Sequence, residues 1–479
     1  MRSRRYALAA GLALAYSLAL LGDQMLYVFL PSDPAAAGIA AASLGIVLSA
    51  NRFVRLGANS LGGLLSDRLG RRRPYLLGMA LALASTTGYL LSSSFWPLLL
   101  WRIVWGIAFA LISVGGVAIM LDLSTSEDRG RTVGTYQSLL QLGTLLGLVL
   151  SGVLTDLLGY RGTLTIYVPL AALGLIVAVW VLRAPGAGEG STARHEGSAG
   201  LGTLAALRPL DARLLAPAYV TFASLFAGSG VLMATLGVYL KQLAAEPGTT
   251  LVVPIASLTG MLLATRRLAG MVGAPIAGHL LDRFGNRRNV AAAGVLVSLM
   301  GFMVLATGRR VGMVATGVVL VAVGESLLHP AVVVWTGDGT PPHLRGVVMG
   351  GLATAGDLGA ALGPLVGYAL LETAGLRAAY ALCAALTLSA LLLLASVRSA
   401  APSRPARLAS ARDAADVSRA GGGTASRSPP RRPTASAWAR RRRARRRRHP
   451  GGAPEPVRSA QRATASRWPG RPRPGPAPT

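Results

Sequence analysis

The chain has 479 residues, of which 52% are hydrophobic and 14% charged, and its formal net charge is +29. Soluble proteins contain about 25% charged residues, and the mean hydropathy of this chain is +0.50. The composition therefore excludes an ordinary soluble fold and indicates an integral membrane protein.

Two scarce residue types exclude further classes. Cys383 is the one cysteine, so no disulfide can form within the chain. Lys241 is the one lysine and follows Leu240, so the phosphate-binding G-x-x-x-x-G-K-[ST] loop is absent. No Cys/His cluster has the spacing of a metal site. We therefore expect no metal and no cofactor, and an ATP-driven pump built on this chain alone is disfavoured.

Apolar runs of about 20 residues, the length that crosses a bilayer, follow one another along the chain. We predict spans near 7–30, 43–66, 75–94, 97–121, 132–157, 162–182, 213–240, 252–280, 289–307, 311–335, 346–371 and 377–397. The predicted fold is an all-α membrane protein with twelve transmembrane helices in two pseudo-symmetric six-helix bundles. The predicted bundles cover 1–182 and 213–398, and a polar, Gly-rich linker covers 183–212.

Arginine placement predicts the orientation. With an even number of spans both termini share one side, and that side has most of the loop arginines, among them Arg68, Arg71, Arg129 and Arg283. Because cytoplasmic loops are rich in Lys and Arg, we predict a multi-pass protein of the cytoplasmic (inner) membrane with both termini and the linker in the cytoplasm.

The two predicted bundles match each other in sequence. Asp282 lies 215 positions after Asp67, and the loop Asp338–Gly346 lies 216 positions after the loop Asp122–Gly130. A nearly constant offset across charged loops is typical of a duplicated six-helix unit.

The loop after the second span, "GGLLSDRLGRRR", has the pattern G-x-x-x-D-R-x-G-R-R, and "AGHLLDRFGNRR" repeats most of it. With two six-helix halves and a central linker, this pattern resembles the major facilitator superfamily of secondary transporters. The resemblance implies a cytoplasmic gate formed by Gly63, Asp67, Arg68, Gly70, Arg71, Gly278, Asp282 and Arg283. The alternative is that these arginines only fix topology and contact lipid head groups.

Asp67 ends a predicted helix, where the helix dipole disfavours a carboxylate. We therefore expect a compensating cation or helix N-terminus. The candidates are Arg71 and a group from another span.

Charged side chains inside the spans are the other candidates for function. Each costs about 2.5–3.5 kcal/mol on insertion scales, so we expect them to face a cavity and to have partners. The set consists of Asp23, Arg52, Arg102, Arg266, Arg267, Glu325, His329 and Asp357. We expect Asp23 to pair with Arg102, and Glu325 or Asp357 to pair with Arg266 or Arg267. Burial raises a carboxyl pKa and a nearby arginine lowers it, so such a pair can couple to protons, or it can simply hold two helices together.

Arg52 and Arg267 occupy matching places in the two halves, 215 positions apart. Facing one cavity, they could hold a carboxylate or phosphate group. Alternatively each pairs within its own half, Arg267 with Asp357 for example. Gln137 and Gln141 share a face of span 5 and could hydrogen-bond a substrate or a neighbouring helix.

The predicted function is secondary transport of a small organic solute by alternating access. Arg102 and Gly106 resemble a fourth-span pattern of the family that favours proton-coupled efflux by antiport, whereas Leu148 stands where drug exporters of the family have proline. Uptake of an organic anion is one alternative, and a non-transporting membrane sensor is another. We expect no enzyme activity, because no nucleophile–base pair or metal constellation is present. The expected partners are a small-molecule substrate, a coupling proton and the lipid bilayer, without nucleic acid, and the expected state is a monomer.

Residues 399–479 differ from the rest, with 20 arginines against three acidic residues. Such a segment can form no core, and we predict a disordered tail. Contact with anionic lipid is one interpretation. A reading frame that is not the native one is the other, because GC-rich DNA read out of frame encodes Arg, Pro, Ala and Gly.

Overall fold

The apolar runs fold into helices in the computed structural model, which describes residues 2–125, 128–183, 212–284, 287–341 and 344–396. Within these ranges all of the regular structure is helical. The helices are α1 (Arg2–Phe29), α2 (Leu44–Leu69), α3 (Arg72–Leu91), α4 (Phe95–Leu123), α5 (Arg129–Leu182), α6 (Ala212–Leu225), a π-helical segment (Phe226–Leu232), α7 (Met233–Ala244), α8 (Ile255–Phe284), α9 (Arg287–Thr307), α10 (Val311–Asp338), α11 (Arg345–Thr373) and α12 (Leu376–Ser396). The predicted tail over 399–479 lies outside the described residues, as does the predicted linker apart from its two terminal residues.

Each predicted span coincides with helix in the described ranges. Nine helices there are long and apolar enough to cross a membrane. The nine do not include α2 and α8, although these have 26 and 30 residues. Both contain arginines in the middle of the helix, which lower their hydropathy. The finding confirms an all-helical membrane fold and marks α2 and α8 as the helices that contribute charge to the interior.

Helix α5 contains two predicted spans. Its 54 residues would extend about 81 Å at 1.5 Å per residue, which far exceeds the roughly 30 Å of a hydrocarbon core. Gly159 interrupts it with φ 71° and ψ −176°, a backbone conformation that residues with a side chain rarely adopt. The chain therefore turns at Gly159, between the predicted spans 132–157 and 162–182.

The helices pack in two groups. Helix α1 packs on α5, and α2 and α3 pack on α4, while in the second group α9 packs on α10 and α12, and α11 packs on α6 and the π-helical segment. Two helix pairs, α2 with α11 and α5 with α8, join the groups. Glycines allow close contact: a Cβ added to Gly230 would lie 2.7 Å from the Cα of Gly363, a packing mode that membrane helices favour.

The two groups are joined firmly at one end, which we call the arginine-poor end and define by the loops 30–43, 92–94, 245–254 and 308–310. There Lys241 Nζ donates to the Ser32 carbonyl at 2.6 Å. The Asp156 carboxylate accepts from the backbone N–H of Ser257 at 2.6 Å and of Ala256 at 3.3 Å. Because these amides belong to the first turn of α8, Asp156 caps that helix from the other group.

Several glycines at the opposite, arginine-rich end face open space. A Cβ added to Gly63, Gly134, Gly278 or Gly350 would meet no heavy atom within 4 Å. At the arginine-poor end, by contrast, a Cβ added to Gly152 would overlap the backbone of Ser257, at 2.8 Å from its Cα. The structure is therefore closed at the arginine-poor end.

Candidate substrate cavity and its charged residues

A cavity of about 300 Å³ lies between the two groups of helices. We call it the central cavity. Gln141 and Leu148 reach it from α5, Ser229 from the π-helical segment, and the remaining walls come from α6, α7, α8 and α10. The polar and charged residues on its wall are Gln141, Ser229, Arg266, Arg267, Glu325, Ser326 and His329.

Arg266 and Glu325 form an ion pair on this wall. Arg266 Nη2 and Nε donate to Glu325 Oε2 at 2.7 and 3.2 Å. Arg266 also donates to the Gly228 carbonyl at 2.7 Å and to Ser229 Oγ at 3.3 Å. Glu325 Oε1 is buried and has no hydrogen-bond partner among the described residues. One carboxylate oxygen of the pair is thus saturated and the other is unsatisfied.

The π-helical segment makes this contact possible. π-helical turns are rare and occur often at functional sites, and here the segment presents the Gly228 carbonyl and Ser229 hydroxyl to Arg266. There is no room for a side chain at Gly228, because an added Cβ would overlap Glu325 Oε1 and lie 2.8 Å from Arg266 Nη2. The local helix geometry therefore brings main chain directly against the ion pair.

Arg267 and Arg52 are the other cations near the cavity. Arg267 lines it, and none of the described residues accepts a hydrogen bond from its guanidinium group. Arg52 Nε is buried without a partner, and Arg52 Nη2 lies 4.0 Å from the sulfur of the cavity residue Met233. The charged groups that act on Arg267 include Arg266 and Arg52. The predicted alternative in which Arg267 pairs with Asp357 is not what the structure contains.

Asp357 pairs with Arg55, a residue that the sequence analysis did not single out. Arg55 Nη2 donates to Asp357 Oδ1 at 2.9 Å, and Asn59 Nδ2 donates to Oδ2 at 3.3 Å. The Arg55 guanidinium also lies over the Phe109 ring, 4.0 Å from its centroid. This contact joins α2 to α11, and hence the two groups. The three-residue spacing of Arg52 and Arg55 on one helix face was the signal available in the sequence.

Asp23 and Arg102 form an ion pair within the first group, and Arg102 is completely buried. Arg102 also donates to the Val47 carbonyl and to the Tyr27 hydroxyl, both at 3.0 Å. Asn51 Nδ2 approaches Asp23 Oδ1 at 3.5 Å. Neither Asp23 nor Arg102 lines the central cavity.

The first copy of the repeated loop pattern forms a small ion-pair network. Arg71 donates to Asp67 at 2.7 Å and lies 3.4 Å from Asp122. Gly70 ends α2 with φ 77°, in the left-handed region where glycine is favoured. Arg68 is exposed at the end of the helix, and Gly63 faces open space. Asp67 therefore has its compensating cation in Arg71.

The second copy repeats one of these contacts. Arg287 Nε lies 2.6 Å from Asp338 Oδ2, and these residues stand 216 positions after Arg71 and Asp122. Gly278 faces open space and Arg283 is exposed. The side chain of Asp282 lies outside what the structure describes.

The two predicted glutamines differ in position. Gln141 lines the central cavity, whereas Gln137 is exposed and does not. His329 lines the cavity one helical turn after Glu325. Of the predicted interior set, the structure thus places Gln141, Arg266, Arg267, Glu325 and His329 around one cavity.

Sequence comparisons place the chain among transporters. A family model described as Major Facilitator Superfamily matches residues 12–270 and 255–449. The chain is 26% identical over 322 residues to an uncharacterised MFS-type transporter of Enterobacter sp. strain 638, an alignment covering 67% of this chain and 78% of that protein. It is also 26% identical over 348 residues to the uncharacterised MFS-type transporter YcaD of Salmonella newport, covering 72% of this chain and 84% of YcaD.

Solved structures share the fold. A POT family transporter crystallised with 5-aminolevulinic acid superimposes with a TM-score of 0.68 at 14% identity, covering 81% of this chain and 95% of that one. An inward-facing, occupied bacterial homologue of the human lysosomal transporter Spinster gives 0.66 at 16% identity, covering 82% and 96%. At these identities the likeness concerns the fold alone. Together with the family match, it establishes that this chain belongs to the major facilitator superfamily of secondary transporters.

Proposed function

We propose that this protein moves a small organic solute through the central cavity by alternating access, and that Glu325 carries a coupling proton. The observation that carries the proposal is the state of the Glu325 carboxylate. Its Oε2 accepts two hydrogen bonds from Arg266, while its buried Oε1 accepts none. A buried acceptor without a partner costs about 1–3 kcal/mol. This cost is the reason why we assign the coupling proton to the Glu325 carboxylate.

The surroundings of Arg266 also favour a reversible pair. When Glu325 is protonated, its attraction for the guanidinium weakens. Arg266 keeps two other acceptors, the Gly228 carbonyl and Ser229 Oγ. A neutral glutamic acid and a held arginine can therefore coexist at the site.

The charged groups facing Glu325 are few. They are Arg266 and Arg267 from α8 and His329 on its own helix. Glu325 also lines a small second pocket. The residues that α6, α9 and α12 contribute to this pocket are uncharged, and they include Ser298 and Thr387. Among the residues that line the two pockets, the charged and titratable groups are therefore Glu325, its two arginines and His329.

The ends of the bundle support alternating access. Asp156 and Lys241 hold the arginine-poor end closed in this conformation. At the arginine-rich end, the Asp67 carboxylate contacts Arg71 of the same loop. We propose that the gate residues Gly63, Asp67, Arg68, Gly70, Arg71, Gly278, Asp282 and Arg283 close that end in the opposite conformation, and that the arginine-rich end faces the cytoplasm.

The test uses full-length protein in liposomes that contain a pH-sensitive dye. A panel of lipophilic cations, neutral drugs and small organic acids is added in turn, and proton flux is recorded for the wild type, Glu325→Gln and Glu372→Gln. Glu372 is exposed and serves as the matched control. We expect at least one compound to move protons, with the flux lost in Glu325→Gln and kept in Glu372→Gln. Flux that survives in Glu325→Gln would contradict the role of Glu325. Silence of the folded wild type across the panel would contradict proton-coupled transport of these solutes and favour a sensor.

A further inference from the structure

We propose that the solute is a small organic anion, gripped between Arg267 and Arg52 and co-transported with the proton on Glu325. The inference rests on the proposed transport function and specifies its substrate class. It starts from the interior arginines that form no ion pair with a described residue.

Most interior charges are neutralised in pairs. Asp23 pairs with Arg102, Asp357 with Arg55 and Glu325 with Arg266. These three pairs account for all the interior carboxylates that the sequence singles out. Arg267 lines the cavity and Arg52 lies beside the cavity residue Met233, and neither forms an ion pair with a described residue. The cavity and its surroundings therefore have an excess of positive charge.

The hydrogen-bonding groups of these two arginines are also unused. None of the described residues accepts from Arg267, and the buried Nε of Arg52 has no partner. The thioether of Met233, 4.0 Å from Arg52 Nη2, is a weak acceptor. An uncompensated charge inside a membrane protein is costly. A carboxylate or phosphate oxygen supplies both the missing acceptors and the missing negative charge, because the guanidinium fork matches these oxyanions.

The cavity limits the size of the anion. Its volume of about 300 Å³ is at the lower end of the range of roughly 300–1,000 Å³ found for ligand pockets. Leu148, Leu263 and Ala322 form apolar wall, and Gln141 adds a polar group. These features fit an anion with a short apolar body, and they disfavour the larger lipophilic drugs that predicted efflux would involve.

The sign of the coupling follows from Arg266. Protonation of Glu325 removes its negative charge and leaves the Arg266 charge uncompensated, so the cavity becomes more attractive to an anion. By reciprocity, a bound anion favours protonation of Glu325 to the same extent. Proton and anion therefore bind together, which is the requirement for symport. In an antiporter the proton and the solute must compete for binding, as a proton and a cationic solute would compete for the Glu325 carboxylate.

Binding to purified full-length protein tests the inference independently of transport. Calorimetric titrations use benzoate and lactate as carboxylates, glycerol 3-phosphate as a phosphate ester and tetraphenylphosphonium as a cation. Hydrogen bonds to a charged group contribute about 1.5–3 kcal/mol, so we expect Arg267→Gln and Arg52→Gln to weaken anion binding about tenfold to a hundredfold. Arg267→Lys should restore part of it. Arg377→Gln, at an exposed arginine, should leave it unchanged. Preference for the carboxylates or for the phosphate ester distinguishes the two anion types.

The carboxylates stay ionised between about pH 6 and pH 8, so their pH dependence reports on the protein. We expect Glu325→Gln, which mimics the protonated carboxyl group, to bind the anions more tightly than the wild type does at the same pH within this range. Binding of the cation alone would overturn the inference, as would anion binding that is insensitive to Arg267 and Arg52. If the cation also drives Glu325-dependent proton flux, the proposed function survives without the inference. If anions bind through both arginines and no proton moves, the anion site stands and the proposed coupling fails.

Discussion

The two halves of the molecule each contain a carboxylate–arginine pair in the membrane interior, and the pairs are built differently. In the first half, Arg102 is fully buried and donates to Asp23, to the Val47 carbonyl and to the Tyr27 hydroxyl. In the second half, Arg266 and Glu325 lie on the cavity wall, with Glu325 Oε1 unsatisfied. The first pair lies away from the cavity and its arginine is held by three groups, so we expect it to stabilise the fold. The second pair lies on the cavity wall, and we expect it to change its protonation and its partners during transport.

The largest expected effect on stability is at the Asp23–Arg102 pair. Arg102→Met leaves Asp23 buried without its cation and removes hydrogen bonds to α1 and α2. Loss of one partner of a buried pair costs about 3–5 kcal/mol of unfolding free energy. We expect a markedly lower Tm and a large fraction of aggregated protein in size-exclusion chromatography. Arg309→Met, at an exposed loop arginine, is the control and should behave like the wild type. An unchanged Tm in Arg102→Met would contradict a structural role for the Asp23–Arg102 pair.

Gly228 lies close to the Arg266–Glu325 pair, so we predict that a larger residue at this position impairs transport. Gly228→Ala places a methyl group against Glu325 Oε1 and Arg266 Nη2, so the pair must shift or the π-helical segment must move. Such overpacking typically costs 1–3 kcal/mol, and we expect solute-driven proton flux to fall about tenfold. Gly270→Ala is the matched control, because Gly270 also lines the cavity but an added Cβ meets nothing within 4 Å. Equal flux in the two variants would contradict the packing of the π-helical segment on the pair.

A smaller effect is expected from a substitution at the closed end, where the two halves contact each other. Asp156→Asn removes a negative charge from the first turn of α8, where the Asp156 carboxylate accepts from the amides of Ala256 and Ser257. Loss of a cap costs about 0.5–2 kcal/mol, enough to change the balance of conformations about two- to thirtyfold. We expect a cysteine introduced at Ser32, a buried residue of the closed end, to become more reactive to a water-soluble maleimide. Glu372→Gln, at the matching position of the second half, should leave that reactivity unchanged. Identical labelling of the two variants would contradict the role of Asp156 in closure.

Much of the fold was predictable from the sequence, because bilayer thickness constrains every apolar run. The turn between spans 5 and 6 lies at Gly159, and the Arg71–Asp122 contact recurs as Arg287–Asp338 at the offset found in the sequence. The pairing of Asp23 with Arg102 was also expected from their similar depth.

Contacts between the two halves were not predictable in the same way. Asp357 was expected beside Arg266 or Arg267, and it binds Arg55 of the other half instead. Depth along a helix follows from counting residues, but the rotation of one bundle against the other does not. The π-helical segment could not be predicted for a related reason. Gly228 and Gly230 permit the distortion, but it is stabilised by the contact with Arg266 of another helix.

The central claim is that Glu325, and not Asp23, carries the coupling proton, and one experiment compares the two directly. Glu325→Gln and Asp23→Asn are reconstituted at equal amounts of folded protein, and solute-driven proton flux is measured against pH beside the wild type. We predict no flux at any pH for Glu325→Gln. For Asp23→Asn we predict reduced thermal stability and flux per folded molecule that follows the wild-type pH profile. Retained flux in Glu325→Gln together with lost flux in Asp23→Asn would contradict the account.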